Sequence, residues 1–426
     1  MRPKLLATVA FVSFQAFAQQ PSADRVLSTG HHGTILSTGL EDPRYLLSFP
    51  AAQRLVLRAT RERQVLVADA RRALEGLPYR LDSLEAAGIL KRAGEQHYRI
   101  AYMVLSVDDQ RAISAASEDY GRSLAAAFVA AAPRYERLFA RYPYVELRKD
   151  LAFVTVAGYT LNWDGLRIGT ELGMRAQPVT KPNGDRYLLY SKETGPKRDH
   201  TGFYWGSHSS NPLGNVRLTT FGDAPSQPRI SGLPDIYFGV TDGITAFKDR
   251  SGLVAATTTQ INSAFDDILH QDGAIMLALR DGPKTTPELE QLTGVTGLRA
   301  SQAIDVLLAS RYLHERDEHQ RYSAAVLVLR EEDRPMVDDA RKLGREILTH
   351  WLNNNYTKSK RDLTGLDVSK AGVDFTQTFS EVWHYVFGSA SKELALRGFY
   401  TNPREPGRTH VGFVPVVFQA DLVAMP

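Results

Sequence analysis

Two hexapeptides carry the residues best suited to chemistry, Arg198-Asp199-His200-Thr201-Gly202-Phe203 and Arg408-Thr409-His410-Val411-Gly412-Phe413. Arginine offers a planar fork that grips a carboxylate or phosphate through parallel hydrogen bonds, and histidine titrates near neutrality. Arg198, His200, Arg408 and His410 therefore suggest an anionic ligand, with Trp163 and Trp383 completing the candidate binding set. The same pattern also fits an edge strand, with Phe203 and Phe413 in the core and glycine admitting close packing. A repeated motif persists even when it only holds a fold, which favours the structural reading.

Other chemistry finds less support. Trp205-Gly206-Ser207-His208-Ser209, with Asp199 and Asp223, invites a hydrolase using Ser207, His208 and His200. The Gly-x-Ser-x-Gly elbow is missing, and adjacent residues of an extended chain face opposite ways. His31, His32, His200 and His208 lack the His-x3-His spacing beside a carboxylate, and there is no cysteine, so no metal site is assigned. No Gly-x-x-x-x-Gly-Lys loop cradles a phosphate. With no catalytic residue, cofactor or metal ligand assigned, the chain reads as a binding protein rather than an enzyme.

The elements that must position these residues come in two copies. Leu84-Glu85-Ala86-Ala87-Gly88-Ile89-Leu90, a charged tip, Tyr98 to Leu105 and Asp108-Asp109 return as Leu307 to Leu313, a charged tip, Tyr322 to Leu329 and Glu332-Asp333. Apolar spacing predicts helices over Arg63 to Leu74 and Tyr79 to Leu90, followed by a strand over Tyr98 to Leu105. In the second copy, Thr286 is placed to cap a helix with Pro287 at its first position and Leu289 and Leu292 inward. Gly294 and Gly297 then precede a helix over Leu298 to Leu313. Each unit leads into a long helix opened by acidic residues, Gln110 to Ala132 and Arg334 to Asn353.

A second helix buries Phe375, Phe379, Val382, Trp383, Val386 and Phe387 on one face. Phe153, Ala157 and Leu161 precede three of them at one constant offset (375 − 153 = 379 − 157 = 383 − 161 = 222). The hexapeptides stand at a smaller offset (410 − 200 = 210), so the second copy is expected to have a shorter intervening loop (222 − 210 = 12). Such colinear matches indicate internal duplication.

The pattern Thr286-Pro287-Glu288-Leu289, Leu292-Thr293-Gly294-Val295, Ala303 to Leu307 and Tyr312-Leu313 resembles a winged helix-turn-helix domain. That resemblance implies a fold of three helices and a hairpin and, in many relatives, DNA reading. The outward residues speak against nucleic acid: Arg80 stands with Asp82 and Glu85 in one copy, and Arg299, Gln302 and Arg311 are thinly spread in the other.

The 426 residues are 43% hydrophobic and 23% charged with a formal charge of +3, a globular profile without a dense basic stripe. Arg2 and Lys4, the apolar run Leu5 to Phe17, and Ala16-Phe17-Ala18 read as a bacterial secretory leader cut near Ala18. No later run is long enough to span a bilayer. The expected organisation is leader 1–18, flexible lead-in 19–50, a first half 51–240 (winged-helix-like 51–107, helices and strands 108–240) and a second half 241–426 (winged-helix-like 261–330, helices and strands 331–426).

The fold class is α+β. Each half carries a winged-helix-like unit, a long helix and a small antiparallel sheet, and the halves are expected to pair as an intramolecular pseudo-dimer with the ligand cleft between them. The expected function is an exported, periplasmic or secreted, non-enzymatic binding protein with an unidentified ligand or protein partner. The runner-up is a cytoplasmic winged-helix regulator.

Overall fold

The computed structural model describes residues 26–181, 184–195, 207–209, 216–222 and 271–419. The leader, Arg198, His200, Asp199 and Asp223 lie outside them. The protein is α+β, with helices and several small sheets. It divides into two compact units, one drawn from Met1–Gln110, Pro178–Pro196 and Leu366–Val373, the other from Arg111–Gln177, Lys197–Gly365 and Asp374–Pro426. This division cuts across the sequence halves.

In the first unit α1 (Pro43–Leu46) and α2 (Pro50–Arg61) are followed by β2 (Val65–Leu66), α3 (Val67–Ala73), α4 (Leu81–Ala86), β3 (Leu90–Arg92) and β4 (His97–Ile100). The three strands form a sheet in the order β2-β4-β3. The stretch expected as one helix over Arg63 to Leu74 therefore opens as a strand. Arg63 takes a left-handed backbone (φ 69°) that ends the preceding helix, and Val65 then pairs with Tyr98. The helix expected over Tyr79 to Leu90 is likewise confined to Leu81–Ala86, because Gly88 at φ 68° turns the chain into β3.

The strand expected over Tyr98 to Leu105 splits between two sheets. Its second part, β5 (Met103–Leu105), runs parallel to β7 (Arg186–Glu193), whose other edge carries β1 (Leu27–Thr34) antiparallel; β6 (Val179–Thr180) also pairs with β7. The 19–50 segment is thus not a flexible lead-in throughout. Gln53, fully buried, anchors its strand: Oε1 accepts from the Val26 and Leu27 N–H groups at 2.8 and 2.9 Å, while Nε2 donates to the Leu47 carbonyl at 2.7 Å.

The second unit repeats the order. Helix α9 (271–278), β10 (Lys284–Thr285), α10 (Thr286–Thr293), α11 (Leu298–Ala309) and β11 (Arg321–Tyr322) follow one another, with β10 paired to β11 and a bridge between Leu313 and Ala324. The α10 cap is Thr285, one residue earlier than expected, and the Glu288 carboxylate accepts its N–H at 2.7 Å. The helix has two turns, so Leu289 alone of the expected pair reaches the core and Leu292 is exposed.

In the same unit β12 (Leu327–Leu329) runs parallel to β13 (Phe413–Gln419), which pairs antiparallel with β9 (Val216–Gly222), and β9 with β8 (Ser207–Ser209). Register relates the two sheets. Met103 faces Tyr190 and Leu327 faces Val416, so β7 and β13 correspond at 416 − 190 = 226. Gly30 faces Tyr190 and Thr219 faces Val416, so β1 and β9 correspond at 219 − 30 = 189. Gly33 and Gly222, at that same offset, both adopt positive φ.

At the offset of 226, Phe413 at the start of β13 corresponds to Tyr187 in β7, while 198–203 lie outside the described residues. A short glycine-containing pattern can be matched in several registers, whereas backbone pairing admits one. β9 thus holds the place beside β13 that β1 holds beside β7.

Four long helical elements run through this unit: α5 (Val107–Ala130) from Arg111 onward, a π-helix (Phe153–Asp164), α12 (Arg334–Asp362) and α14 (Phe375–Leu396). The expected core face of α14 is buried throughout. Helices cross closely at two corresponding glycines. A Cβ at Gly121 would lie 2.8 Å from the Ala390 backbone nitrogen in α14, and one at Gly344 would lie 2.5 Å from the Thr160 methyl in the π-helix.

Gly121→Ala is expected to lower stability in urea unfolding by about 1–3 kcal/mol through overpacking against backbone that cannot rotate away. Gly365→Ala, where a Cβ meets nothing within 4 Å, should leave the midpoint nearly unchanged. Equal effects of the two substitutions would contradict the close crossing.

Candidate functional site

The π-helix is built from a run that is apolar or β-branched almost throughout and buried at all but Asn162 and Trp163. Thr155 Oγ1 donates back to the Leu151 carbonyl and Thr160 Oγ1 to the Thr155 carbonyl, each at 2.8 Å, the second spanning a full π-turn. Such wide turns are rare and tend to mark functional positions. This one delivers Asp164 at its C-terminal end, where α8 (Gly165–Glu171) begins.

Asp164 is only 1% exposed. Arg341 reaches its two oxygens with Nε at 3.2 Å and Nη2 at 3.0 Å, and Arg345 adds Nη1 at 3.1 Å. The two arginines stand one turn apart on α12, which brings both to the same face. Arg341 also lies over the Tyr159 ring, 5.1 Å from its centre, and that ring's burial pushes the phenol's pKa up. Arg345 continues to Glu171 at 2.8 Å, and Glu171 also accepts from Arg167 at 3.1 Å. The hydrogen bond from Arg167, reinforced by Arg345, holds the Glu171 carboxyl below its ordinary pKa.

Above this clamp opens a groove of about 730 Å³. Arg167, Arg341, Lys342 and Arg345 supply its positive charge, and Asp164, Asp338 and Glu346 its negative. His350 and Asn353 lie further along α12. No ion pair engages Lys342 among the described residues. Beyond the N–H groups committed to Asp164 and Glu171, the groove offers the remaining guanidinium donors of Arg167, Arg341 and Arg345 and the Lys342 ammonium to an incoming oxyanion. Among the described residues no group of His, Asp or Glu side chains could hold a metal.

The residues proposed from sequence do not meet here. Arg408 pairs with Asp150 at 3.2 Å. His410 is buried, with Nε2 3.2 Å from the Arg311 carbonyl and its ring edge-on to Tyr312. Burial lowers the His410 pKa and outweighs the hydrogen bond to the Arg311 carbonyl, which raises it, while the Arg408 charge adds to the lowering. Trp383 is a core residue whose Nε1 donates to the Leu161 carbonyl at 2.8 Å. Trp163 joins Tyr159 and Phe221 in an aromatic cluster, at 5.0 and 5.9 Å between centres. Ser207 and His208 are consecutive positions of β8, and His200 lies outside the described residues.

The groove is instead lined by Asp164, Arg341, Arg345 and Lys342, none of them a residue proposed from sequence. The one sequence signal for them is Arg341-x3-Arg345; their acid stands in the other half of the chain (341 − 164 = 177).

No protein-family model, curated protein or solved structure matches the chain.

Asp164→Asn should destabilise the fold by about 2–3 kcal/mol in urea unfolding. This lies below the limit for a fully buried pair because Arg341 and Arg345 keep partial contact with water. An unchanged midpoint would contradict the clamp. For His410, a folded pKa below the ordinary 6.5 means the unfolded chain takes up the proton first. The stability it supports should be fully present above about pH 6.5 and decline below it, and His410→Asn should flatten that limb of the pH profile. A wild-type profile that is already flat would refute this.

Proposed function

We propose that the protein is an exported, non-enzymatic binding protein that reuses a duplicated winged-helix-like scaffold and holds a small polyanion in the α12 groove. The observation that carries this reading is the buried Asp164 clamp, which fixes two arginine forks beneath an open groove that also contains Arg167 and Lys342. Fixed guanidinium groups recognise carboxylates and phosphates with little ordering cost at the moment of binding. Export rests on the leader-like N-terminal sequence.

The order helix, strand, helix, helix, hairpin recurs in both units with the first strand paired to the last, which supports the winged-helix reading. The crossings at Gly121 and Gly344 support a pseudo-dimer, because each half's long helix packs on the second helix of the other half.

DNA reading is favoured less. The position of the recognition helix falls to α4, with Asp82, Glu85 and Ala86 turned out, and to α11, with Leu298, Arg299, Ser301, Gln302 and Asp305 outward. One arginine against three carboxylates is a poor match for a phosphate backbone.

Titration calorimetry with citrate and with inorganic phosphate at low salt tests the groove. Arg167→Ala/Lys342→Ala, which spares the Asp164 clamp, should weaken binding of the preferred anion by about tenfold or more while leaving the urea midpoint in place. Absence of binding by wild type, or undiminished binding by the variant, would refute the reading. Fractionation of tagged protein should recover the shortened chain outside the cytoplasm; a full-length cytoplasmic product would remove the exported part.

A further inference from the structure

A separate pocket of about 310 Å³ in the second unit has the opposite character to the groove, with an apolar interior and a cationic mouth. Helix α6 (Ala132–Phe139) supplies Tyr135 and Phe139, α7 (Arg148–Ala152) supplies Ala152, and the turn after α14 supplies Phe399. Tyr135 and Phe139 lie 5.8 Å apart between ring centres, and Phe399 meets Tyr135 edge-on at 5.5 Å. The Tyr135 hydroxyl points away to the Ala340 carbonyl at 3.4 Å, so its ring faces the pocket as an apolar wall.

The mouth carries Arg148, Lys149 and Arg397 against a single carboxylate, Glu136, among the described residues. Arg148 is already committed, donating to the Ala140 and Tyr142 carbonyls. Arg397 has only a 3.5 Å, solvent-exposed contact with Glu393. The Lys149 ammonium has no hydrogen-bond or ion-pair partner among the described residues. Lys149 Nζ lies beside Gly398, within ordinary van der Waals reach of a Cβ placed there (3.8 Å), so the ammonium stands at the pocket mouth.

From this combination we infer a second binding site, for a small hydrophobic monocarboxylate. Its hydrocarbon body lies among Tyr135, Phe139 and Phe399, and its carboxylate pairs with Lys149 and Arg397 at the mouth. A fully charged phosphate would leave the aromatic walls unused, and a cation would meet the net positive rim. The site shares no residue with the α12 groove and stands independently of the function proposed for it.

Calorimetric titration of the full chain with octanoate and with octanamide, which keeps the hydrocarbon and loses the charge, tests it. Octanoate should bind about tenfold or more tightly than the amide. Lys149→Met should reduce octanoate to the level of the amide, and Lys149→Glu should weaken it further. Both substitutions are at an exposed side chain, so an unchanged thermal midpoint verifies the fold. Arg167→Ala/Lys342→Ala should bind octanoate as wild type does. No octanoate binding, equal affinity for acid and amide, indifference to both Lys149 variants, or loss of octanoate affinity in the groove variant would each overturn the assignment.

Discussion

The burial of one carboxylate, Asp164, sets the terms for the second unit. A desolvated carboxylate is tolerable only when its oxygens are fully engaged, and Arg341 and Arg345 provide that engagement. The requirement acts both ways. The arginines are held in fixed geometry at the floor of the groove, and α12 is held to the π-helix at the site where Gly344 allows the two backbones to approach. A packing constraint and the proposed binding surface thus share the same atoms.

The two copies keep the scaffold and differ in its internal chemistry. Asp109 and Asp333 correspond at an offset of 224 (333 − 109), and both are buried at the entrance to a long helix. Asp109 accepts from the Asp367 and Val368 N–H groups at 2.7 and 3.2 Å, where α13 (Asp367–Lys370) begins, and burial pushes its carboxyl pKa up. Asp333 instead meets the buried Arg280 guanidinium, with Nε at 2.9 Å, and that guanidinium also lies 4.4 Å over the Tyr142 ring. One inherited carboxylate is satisfied by helix N–H groups in one copy and by a cation in the other. Duplication fixes where a polar group is buried and leaves its partner free to change.

Much of the fold was legible because apolar periodicity reports burial directly. The six apolar positions of α14 are all in the core, and the second unit repeats the order of elements seen in the first. Short elements were harder to read. Val65 and Leu66 fit a helical face, yet a left-handed Arg63 and pairing with Tyr98 make them a strand. The candidate site was hardly legible. Arg408 and His410 stood out because their motif repeats, but the structure engages both with neighbouring groups, Asp150 and the Arg311 carbonyl. Asp164 looked like any acid after a tryptophan. Nothing local announces a π-helix or links it to Arg341 and Arg345, which lie in the other half of the chain.

The central claim is that anions are taken up by the fixed cations of the α12 groove and not by the repeated hexapeptide. Side-chain NMR of the arginine Nε–H groups during a citrate titration tests it most directly. The account predicts saturable shifts at Arg167, Arg341 and Arg345 with none at Arg408. Shifts confined to Arg408, or no saturable shift at any groove arginine, would contradict it.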